Sequence, residues 1–361
     1  MSSARRELRH GWTTGTCAAA ASKAAFAALV TGAFPDPVAV TLPGGETPSF
    51  ALAMQRLERP AALAGVVKDA GDDPDVTHGA LVIARVERAA PGDGITFRAG
   101  EGVGTVTRPG LALPPGEPAI NPVPRQMIRA GIEAVAAAHG CPTDVAIEIS
   151  IPGGEILARR TLNARLGILG GLSILGTTGI VKPYSCAAWI SSIHRGIDVA
   201  RAAGVEHVAA STGATSERSV QQLCGLPEVA LIDMGDFVGG TLKYLRRHPV
   251  PRVTLAGGVA KMTKLAQGRL DLHSKRGLVD REALASLAES HGASAELAHA
   301  MRTANTTAEA FAAAEAHGLA LGYLIAAEAQ TTAREVISGS PIELDVALFD
   351  RTGRLLGRSH T

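Results

Sequence analysis

The sequence predicts a two-part chain: an α+β front half followed by an α/β back half built on a parallel or mixed sheet. Three observations carry this. At 361 residues the chain exceeds what a single core ordinarily fills, so roughly two domains are expected. The front half reads as short strands and glycine-rich turns around two helical stretches. After about Leu166 strands alternate with helices, the pattern of parallel strands joined by crossover helices. The expected domains are therefore 1–166 and 167–361, with the closing hairpin 341–357 free to pack on either.

Composition narrows the function classes. Hydrophobic residues make up 46% and aromatics 3%, so the cores are built from small side chains. A formal net charge of +1 gives no general attraction to nucleic acid or to an anionic membrane, so an acidic ligand would need local groups to hold it. Cys17, Cys141, Cys186 and Cys224 form no CxxC pair and read as reduced thiols of a cytoplasmic protein. A basic arm with Arg5, Arg6 and Arg9 precedes an alanine-rich run. Lys23 interrupts that run, so neither an export signal nor a membrane span is expected.

Along the chain, Thr13-Thr14-Gly15-Thr16-Cys17 leads into a helix over Ala18–Leu29, with threonine as its cap. Val38–Leu42 and the segment after Glu46 read as a hairpin about Pro43-Gly44-Gly45, and Ala64–Asp69 as a strand. Asp72, Asp73 and Asp75 follow. Pro74 and the lack of a closing glutamate break the calcium-loop pattern, so a polar turn is expected and no metal site. Residues 79–107 hold short strands, and a helix follows over Pro124–His139. Asp144–Arg160 reads as a second hairpin about Pro152-Gly153-Gly154, and Asp345–Leu356 as a third.

In the back half, helices are expected at Ser185–Ala203, Ser216–Cys224, Phe237–Arg247 and Val259–Gln267. Strands are expected at His207–Ser211, Val229–Asp233 and Arg252–Leu255, and helices dominate from Asp280 to about Val336.

At the junction lies Gly170-Gly171-Leu172-Ser173-Ile174-Leu175-Gly176-Thr177-Thr178-Gly179, followed by Lys182-Pro183. Free amides and hydroxyls before a helix form an anion site; the same stretch serves equally as a tight bend between buried elements. In an open parallel sheet ligands bind at the carboxyl ends of strands. Those ends carry Ser211-Thr212-Gly213, then Asp233 with Gly235 and Asp236, then Gly257-Gly258 with Lys261. Glycines for close approach beside carboxylates for ribose hydroxyls favour a nucleoside-containing cofactor. GxGxxG, GxxxxGK[ST] and HExxH are absent, which counts against standard dinucleotide, P-loop and zincin sites. His273-Ser274-Lys275 concentrates an imidazole, a hydroxyl and a cation in one loop that could bind carboxylates or move a proton, or simply join two helices in solvent. His194 reads as a packed or surface histidine.

These stretches resemble the CbiD family over nearly the whole chain. The matching segments are Gly11–Ala20, Lys68–Thr77, Gly102–Gly104, Glu117–Pro122, Gly170–Val181, Leu265–Gly268 and His273–Lys275. The resemblance implies a methyltransferase with S-adenosylmethionine as donor and a corrin-ring precursor, with or without cobalt, as acceptor. It also implies an S5-domain-2-like α+β part beside a Rossmann-like part. On that basis Ser211, Thr212, Gly213, Asp233, Gly235, Asp236, Gly257, Gly258 and Lys261 are expected at the donor. Thr13, Thr14, Gly15, Thr16, Asn121, Ser173, Gly176, Thr177, Thr178, Gly179, Lys182, Ser274 and Lys275 are expected at the ring carboxylates, with His273 as proton acceptor. After Val181 the chain departs from the methionine and acidic residues of the family pattern and reads Lys182-Pro183-Tyr184-Ser185-Cys186. The rival classes are a nicotinamide-dependent reductase and a non-catalytic corrinoid-binding protein, and a homo-oligomer is an open alternative.

Overall fold

A computed structural model describes residues 8–359; Arg5 and Arg6 of the basic arm lie outside the described residues. The chain forms two compact units, residues 1–185 and 186–361. Both contain mixed sheets with parallel and antiparallel strands.

In the first unit the order is β1 (Gly11–Trp12), α1 (Thr14–Thr31), β2 (Val38–Ala39), β3 (Ser49–Phe50), β4 (Met54–Glu58), β5 (Ala61–Val67), β6 (Leu81–Arg88), β7 (Ile95–Ala99) and β8 (Thr105–Val106). Then come α2 (Pro122–His139), β9 (Val145–Ser150), α3 (Gly154–Ala158), β10 (Ile168–Leu169) and β11 (Ile180–Val181). The main sheet runs β4-β5-β6-β9-β7, antiparallel except for β7 beside β9. In β6 the sequence alternates, burying Val82, Ala84 and Val86. The helix α1 lies against β5, β6 and α2. Its residues from Thr14 to Ala28 are buried except Lys23, because alanine lets both neighbours approach closely. Lys23 reaches out to donate to the Ala39 carbonyl at 2.8 Å.

Two front-half expectations are corrected. The second hairpin does not form: β9 is an inner strand between β6 and β7, and the chain turns at Gly153 (φ +75°) into α3. The buried run Val145–Ile147, Ile149 and Ile151 fits an inner strand, whereas Gly-Glu-Ile-Leu-Ala lacks the alternation of a return strand. Second, the boundary falls after Ser185 rather than after 166. Residues 167–181 are threaded through the first unit: β10 pairs with β8, Leu172 with Val103, Ile174 with Ile120, and β11 with β1. The first hairpin forms as expected, β2 with β3, and so does the third, Ala347–Phe349 pairing with Leu355–Arg358.

The second unit comprises α4 (Cys186–Ala202), β12 (His207–Ser211), α5 (Ala214–Cys224), β13 (Leu231–Asp233), α6 (Val238–Arg247), β14 (Arg252–Gly258) and α7 (Val259–Ala266). It continues with α8 (Arg281–Ser290), α9 (Ala295–Thr303), α10 (Thr307–Ala316), α11 (Leu321–Val336), β15 (Glu343–Phe349) and β16 (Leu355–Arg358). Its sheet runs β13-β12-β14-β15-β16, parallel except for β16. Strand residues alternate between two cores. Ala209, Leu231, Ala256, Ala347 and Phe349 pack with Val220 of α5, while Val208, Ala210, Ile232, Val253, Leu255 and Val346 face the larger helical layer. The closing hairpin is thus an integral part of this sheet.

Candidate functional site

The second unit places a cavity at the carboxyl edge of its sheet. From β12 the chain goes through α5 to β13 on one side, while β14 flanks β12 on the other, so strand order reverses between β12 and β14. Such a switch point leaves a crevice because the two crossover helices diverge. A cavity of about 840 Å³ opens at this edge, lined by Thr212–Ser216, Gly258–Lys261, Phe311, Leu319–Gly322 and the turn Phe349–Arg354, among others. The volume lies within the roughly 300–1,000 Å³ of small-molecule and cofactor sites.

Four of the sequence-predicted donor residues line this cavity: Thr212, Gly213, Gly258 and Lys261. Here glycine does leave the main chain open. A β-carbon at Gly213 would meet nothing within 4 Å, and one at Gly258 only the Phe349 carbonyl at 4.0 Å. These glycines are the N-caps of α5 and α7, and neither helix start is closed by a side chain, unlike α8, α9 and α10, which Asp280, Ser294 and Thr306 cap. The first amides of α5 and α7 therefore offer partial positive charge to the cavity. Ser211 is fully buried at the end of β12, with no partner for its hydroxyl among the described residues.

The other predicted donor residues serve different contacts. At Gly257 a β-carbon would lie 2.6 Å from the Met262 methyl, so this glycine makes room for the core. Asp233 and Gly235, at the end of β13, lie under Trp189 of α4. The indole N–H donates to the Asp233 carbonyl at 3.3 Å, and the Gly235 main chain sits against the ring. Asp236 pairs with Lys261, whose ammonium also donates to the Leu272 carbonyl at 3.1 Å; Lys264 donates to the same oxygen at 3.1 Å. Burial and the neighbouring Lys261 charge hold the Lys264 ammonium below its ordinary proton affinity.

That cluster anchors the loop after α7. Leu272 is buried, and its N–H donates to the Asp236 carbonyl at 2.9 Å. His273, Ser274 and Lys275 remain exposed, with the His273 Nδ1 accepting from the Lys275 N–H at 3.1 Å. The loop and the Asp236–Lys261 pair are thus brought together. His194 stacks on Tyr244 with centroids 3.8 Å apart, and Tyr244 donates to Asp198 at 2.6 Å; burial and that bond push the phenol up to about 12.

Sequence reasoning missed the wall of the cavity formed by α10, the start of α11 and the turn after β15. Asp350, at the end of β15, accepts from the Thr352 N–H and hydroxyl and from the Arg354 main chain and guanidinium. Burial works against its charge, but these four donors win and hold the carboxyl down at about 2. Arg354 also binds Glu315 of α10 through both carboxylate oxygens, lowering that group as well. The signal was the Asp-x-Thr-Gly-Arg turn, legible as a hairpin turn but not as a cavity wall.

In the first unit the thread 170–181 is the element on which the recurrent stretches meet. Thr13 caps α1 by accepting from the Thr16 N–H at 3.2 Å. The Thr14 hydroxyl donates to the Leu175 carbonyl at 3.2 Å, and the Thr16 hydroxyl to the Gly179 carbonyl at 2.7 Å. All three threonines are buried. Gly15 lies against Pro124, and Gly176 leaves room for Thr13: a β-carbon there would sit 2.3 Å from the Thr13 hydroxyl. Gly179 faces Leu42 and Thr16. Asn121 donates its N–H to the Ile174 carbonyl at 2.9 Å, and Ser173 bonds Asn163 at 3.3 Å. These hydroxyls and glycines lock α1 to the thread, while Thr177, Thr178, Lys182 and Tyr184 are exposed on it.

Beside this thread, the acidic turn is internally tied. Arg9 grips Asp69 with both guanidinium nitrogens, and that bond together with the Gly71 N–H holds the Asp69 carboxyl down at about 2. Asp72 accepts from the Arg9 N–H at 2.8 Å, Asp73 from the Tyr184 N–H at 2.8 Å, and Asp75 pairs with the buried Lys68. The aspartates act as turn and loop anchors. Among the described residues no group of three or more His, Cys, Asp or Glu side chains could hold a metal ion, and no helix is long and apolar enough to cross a membrane.

Comparison with known proteins is consistent along the chain. The CbiD family profile matches residues 1–183 and the CbiD C-terminal domain residues 271–360. A cobalt-precorrin-5B C(1)-methyltransferase of a Bradyrhizobium species is 62% identical over 353 residues, covering 98% of this chain and 94% of the relative. Its namesake from Agrobacterium fabrum is 62% identical over 354 residues, covering 98% and 93%. The crystal structure of a cobalamin biosynthesis protein (cbiD) from Archaeoglobus fulgidus is 27% identical, with a TM-score of 0.40, over 70% of this chain and 77% of that one.

Proposed function

The chain belongs to the CbiD family, and from that premise we propose that it methylates carbon 1 of a corrin-ring precursor, cobalt-precorrin-5B or its cobalt-free counterpart, in cobalamin biosynthesis. The observation that carries this is the near-full-length identity to methyltransferases of that name. It acts in the cytoplasm, a reading supported by four free cysteines. The front unit is read as S5-domain-2-like. The back unit is read as Rossmann-like, on the strength of its four parallel strands and their reversal of order.

The methyl donor is S-adenosylmethionine, and its site is the cavity of the second unit. The residues there suit it: open main chain at Gly213 and Gly258 with two uncapped helix starts for a carboxylate, and apolar Phe311, Leu319 and Leu321 for a purine. When bound, the donor supplies an electrophilic methyl group, whose bond to sulfur breaks as an electron pair of the ring carbon forms the new bond. The protein's work is then alignment in a water-poor site, which can lower a barrier by roughly 7–11 kcal/mol in favourable cases. On the acceptor side the exposed Ser274 and Lys275, in the same unit as the donor cavity, contact ring carboxylates, and His273 takes up the proton released at the ring.

The test is incubation with the ring precursor and labelled S-adenosylmethionine, followed by mass measurement of the product. A gain of one methyl group is the expected result. Retention of NADPH with a two-electron change in the ring would make the protein a reductase; ring binding with no donor binding and no turnover would make it a carrier.

A further inference from the structure

Tyr184 carries a conflict that its own packing does not resolve. Among the described residues it is the only one other than glycine with positive φ, at +56°. In that region the β-carbon crowds the following carbonyl, and a bulky aromatic residue is a true outlier. A position needing such a turn is ordinarily filled by glycine, of which this chain has 41. The strain is not offset by burial either, because Tyr184 is 68% exposed. Backbone strain of this kind persists where surrounding structure over-determines it, and it clusters at ligand-contacting sites.

The over-determining contact is explicit. Asp73 Oδ1 accepts the Tyr184 N–H at 2.8 Å across 111 residues of chain. Asp73 itself stands on a rigid turn, held on one side by Arg9 on Asp69 and Asp72 and on the other by Lys68 with Asp75. The first unit thus spends an acidic turn on holding one main-chain amide, and the outcome is a phenol ring presented to solvent on a segment that also exposes Lys182, Thr177 and Thr178. An aromatic face with a cation and hydroxyls nearby suits a flat conjugated ring bearing peripheral carboxylates.

We propose that Tyr184 is a substrate-contacting residue whose ring packs on the flat face of the methyl-acceptor macrocycle, and that Asp73 is the positioning residue that presents it. This rests on the methyltransferase reading above and deepens it. Loss of the aromatic contact raises KM for the ring about two- to tenfold, while the donor's KM stays put.

The experiment compares wild type with Tyr184→Phe, Tyr184→Ala, Tyr184→Gly, Asp73→Asn and Asp73→Ala. It reads KM and kcat for both substrates, ring affinity without donor from the ring's visible absorbance, and the melting temperature. Tyr184→Phe keeps ring affinity, and Tyr184→Ala and Tyr184→Gly lose it. Tyr184→Gly raises the melting temperature because glycine accepts φ +56° without strain, so stability and ring binding move in opposite directions. Asp73→Ala raises the ring's KM, and Asp73→Asn, whose amide oxygen still accepts the N–H, restores most of it. Unchanged ring affinity in Tyr184→Ala and Tyr184→Gly overturns the proposal, as does a fall in melting temperature that parallels the loss of activity. A wild type that binds the ring but never methylates it overturns the methyltransferase reading instead, and the donor-free binding series still decides Tyr184.

Discussion

Replacing Gly258 by alanine separates folding from donor binding more cleanly than any other single change. Gly258 has φ −75° and ψ 160°, a conformation every residue adopts, and the added methyl would find only the Phe349 carbonyl at 4.0 Å. The fold therefore accepts it, and lower freedom of the unfolded chain stabilises by about 0.4–1 kcal/mol. The same methyl stands at the mouth of the α7 amides, where the donor's carboxylate is proposed to bind. One lost charge-assisted hydrogen bond is worth about 1.5–3 kcal/mol, which weakens donor binding roughly ten- to a hundredfold. The neighbouring Gly257→Ala is the control: its methyl would meet Met262 Cε at 2.6 Å and the Thr212 hydroxyl at 2.9 Å, so overpacking costs about 1–3 kcal/mol. Calorimetric titration with S-adenosylmethionine and urea denaturation read the two effects. Wild-type donor affinity in a stable Gly258→Ala protein refutes the placement of the donor on this main chain.

Three further outcomes are expected. Lys68→Met removes the cation from Asp75, which burial disfavours but the Lys68 charge keeps ionised; the loss is up to roughly 3 kcal/mol by urea denaturation, at the low end for a buried pair because Asp75 is a quarter exposed, and Lys68→Met with Asp75→Leu recovers most of it. His207, which shares a 2.8 Å hydrogen bond with Thr254, is held below its ordinary 6.5 by burial and then by the Arg252 charge. The unfolded chain therefore takes up a proton that the native one refuses, so stability is full above pH 6.5 and falls as pH drops below it; thermal melts from pH 7 to 5 show the slope, and His207→Gln reduces it without abolishing it because His194 shifts the same way. His273→Ala, at an exposed loop position, lowers turnover while changing stability by less than about 0.5 kcal/mol, and full activity in that variant removes His273 from the reaction.

Much of the second unit was legible residue by residue. The strand His207–Ser211 and the helix start at Val259 fall where apolar runs and glycine punctuation put them, because each parallel strand is buried on both faces and each crossover helix carries its own period. The front half was less so. Strand β9 takes its partners from Leu81–Arg88 and Ile95–Ala99, and nothing within Val145–Ser150 names them. Glycine was ambiguous as well: Gly176 admits Thr13 and Gly257 admits Met262, whereas Gly213 and Gly258 face open space, and all four read alike in the chain.

The amino-acid order by itself determined the family, the succession of elements in the sheet of the second unit and a threonine cap ahead of the alanine-rich helix, since these depend on periodicity and on contacts between near neighbours; that the cap is Thr13 came from the structure. Only the tertiary structure decided which glycines face a cavity and that α10, α11 and the Asp350 turn form its other wall. It alone decided, too, that Asp73 would hold Tyr184 in a conformation its own side chain disfavours. Those outcomes depend on groups brought together across tens to more than a hundred residues, where no local preference speaks for the contact and only the closed packing of the whole unit sets it.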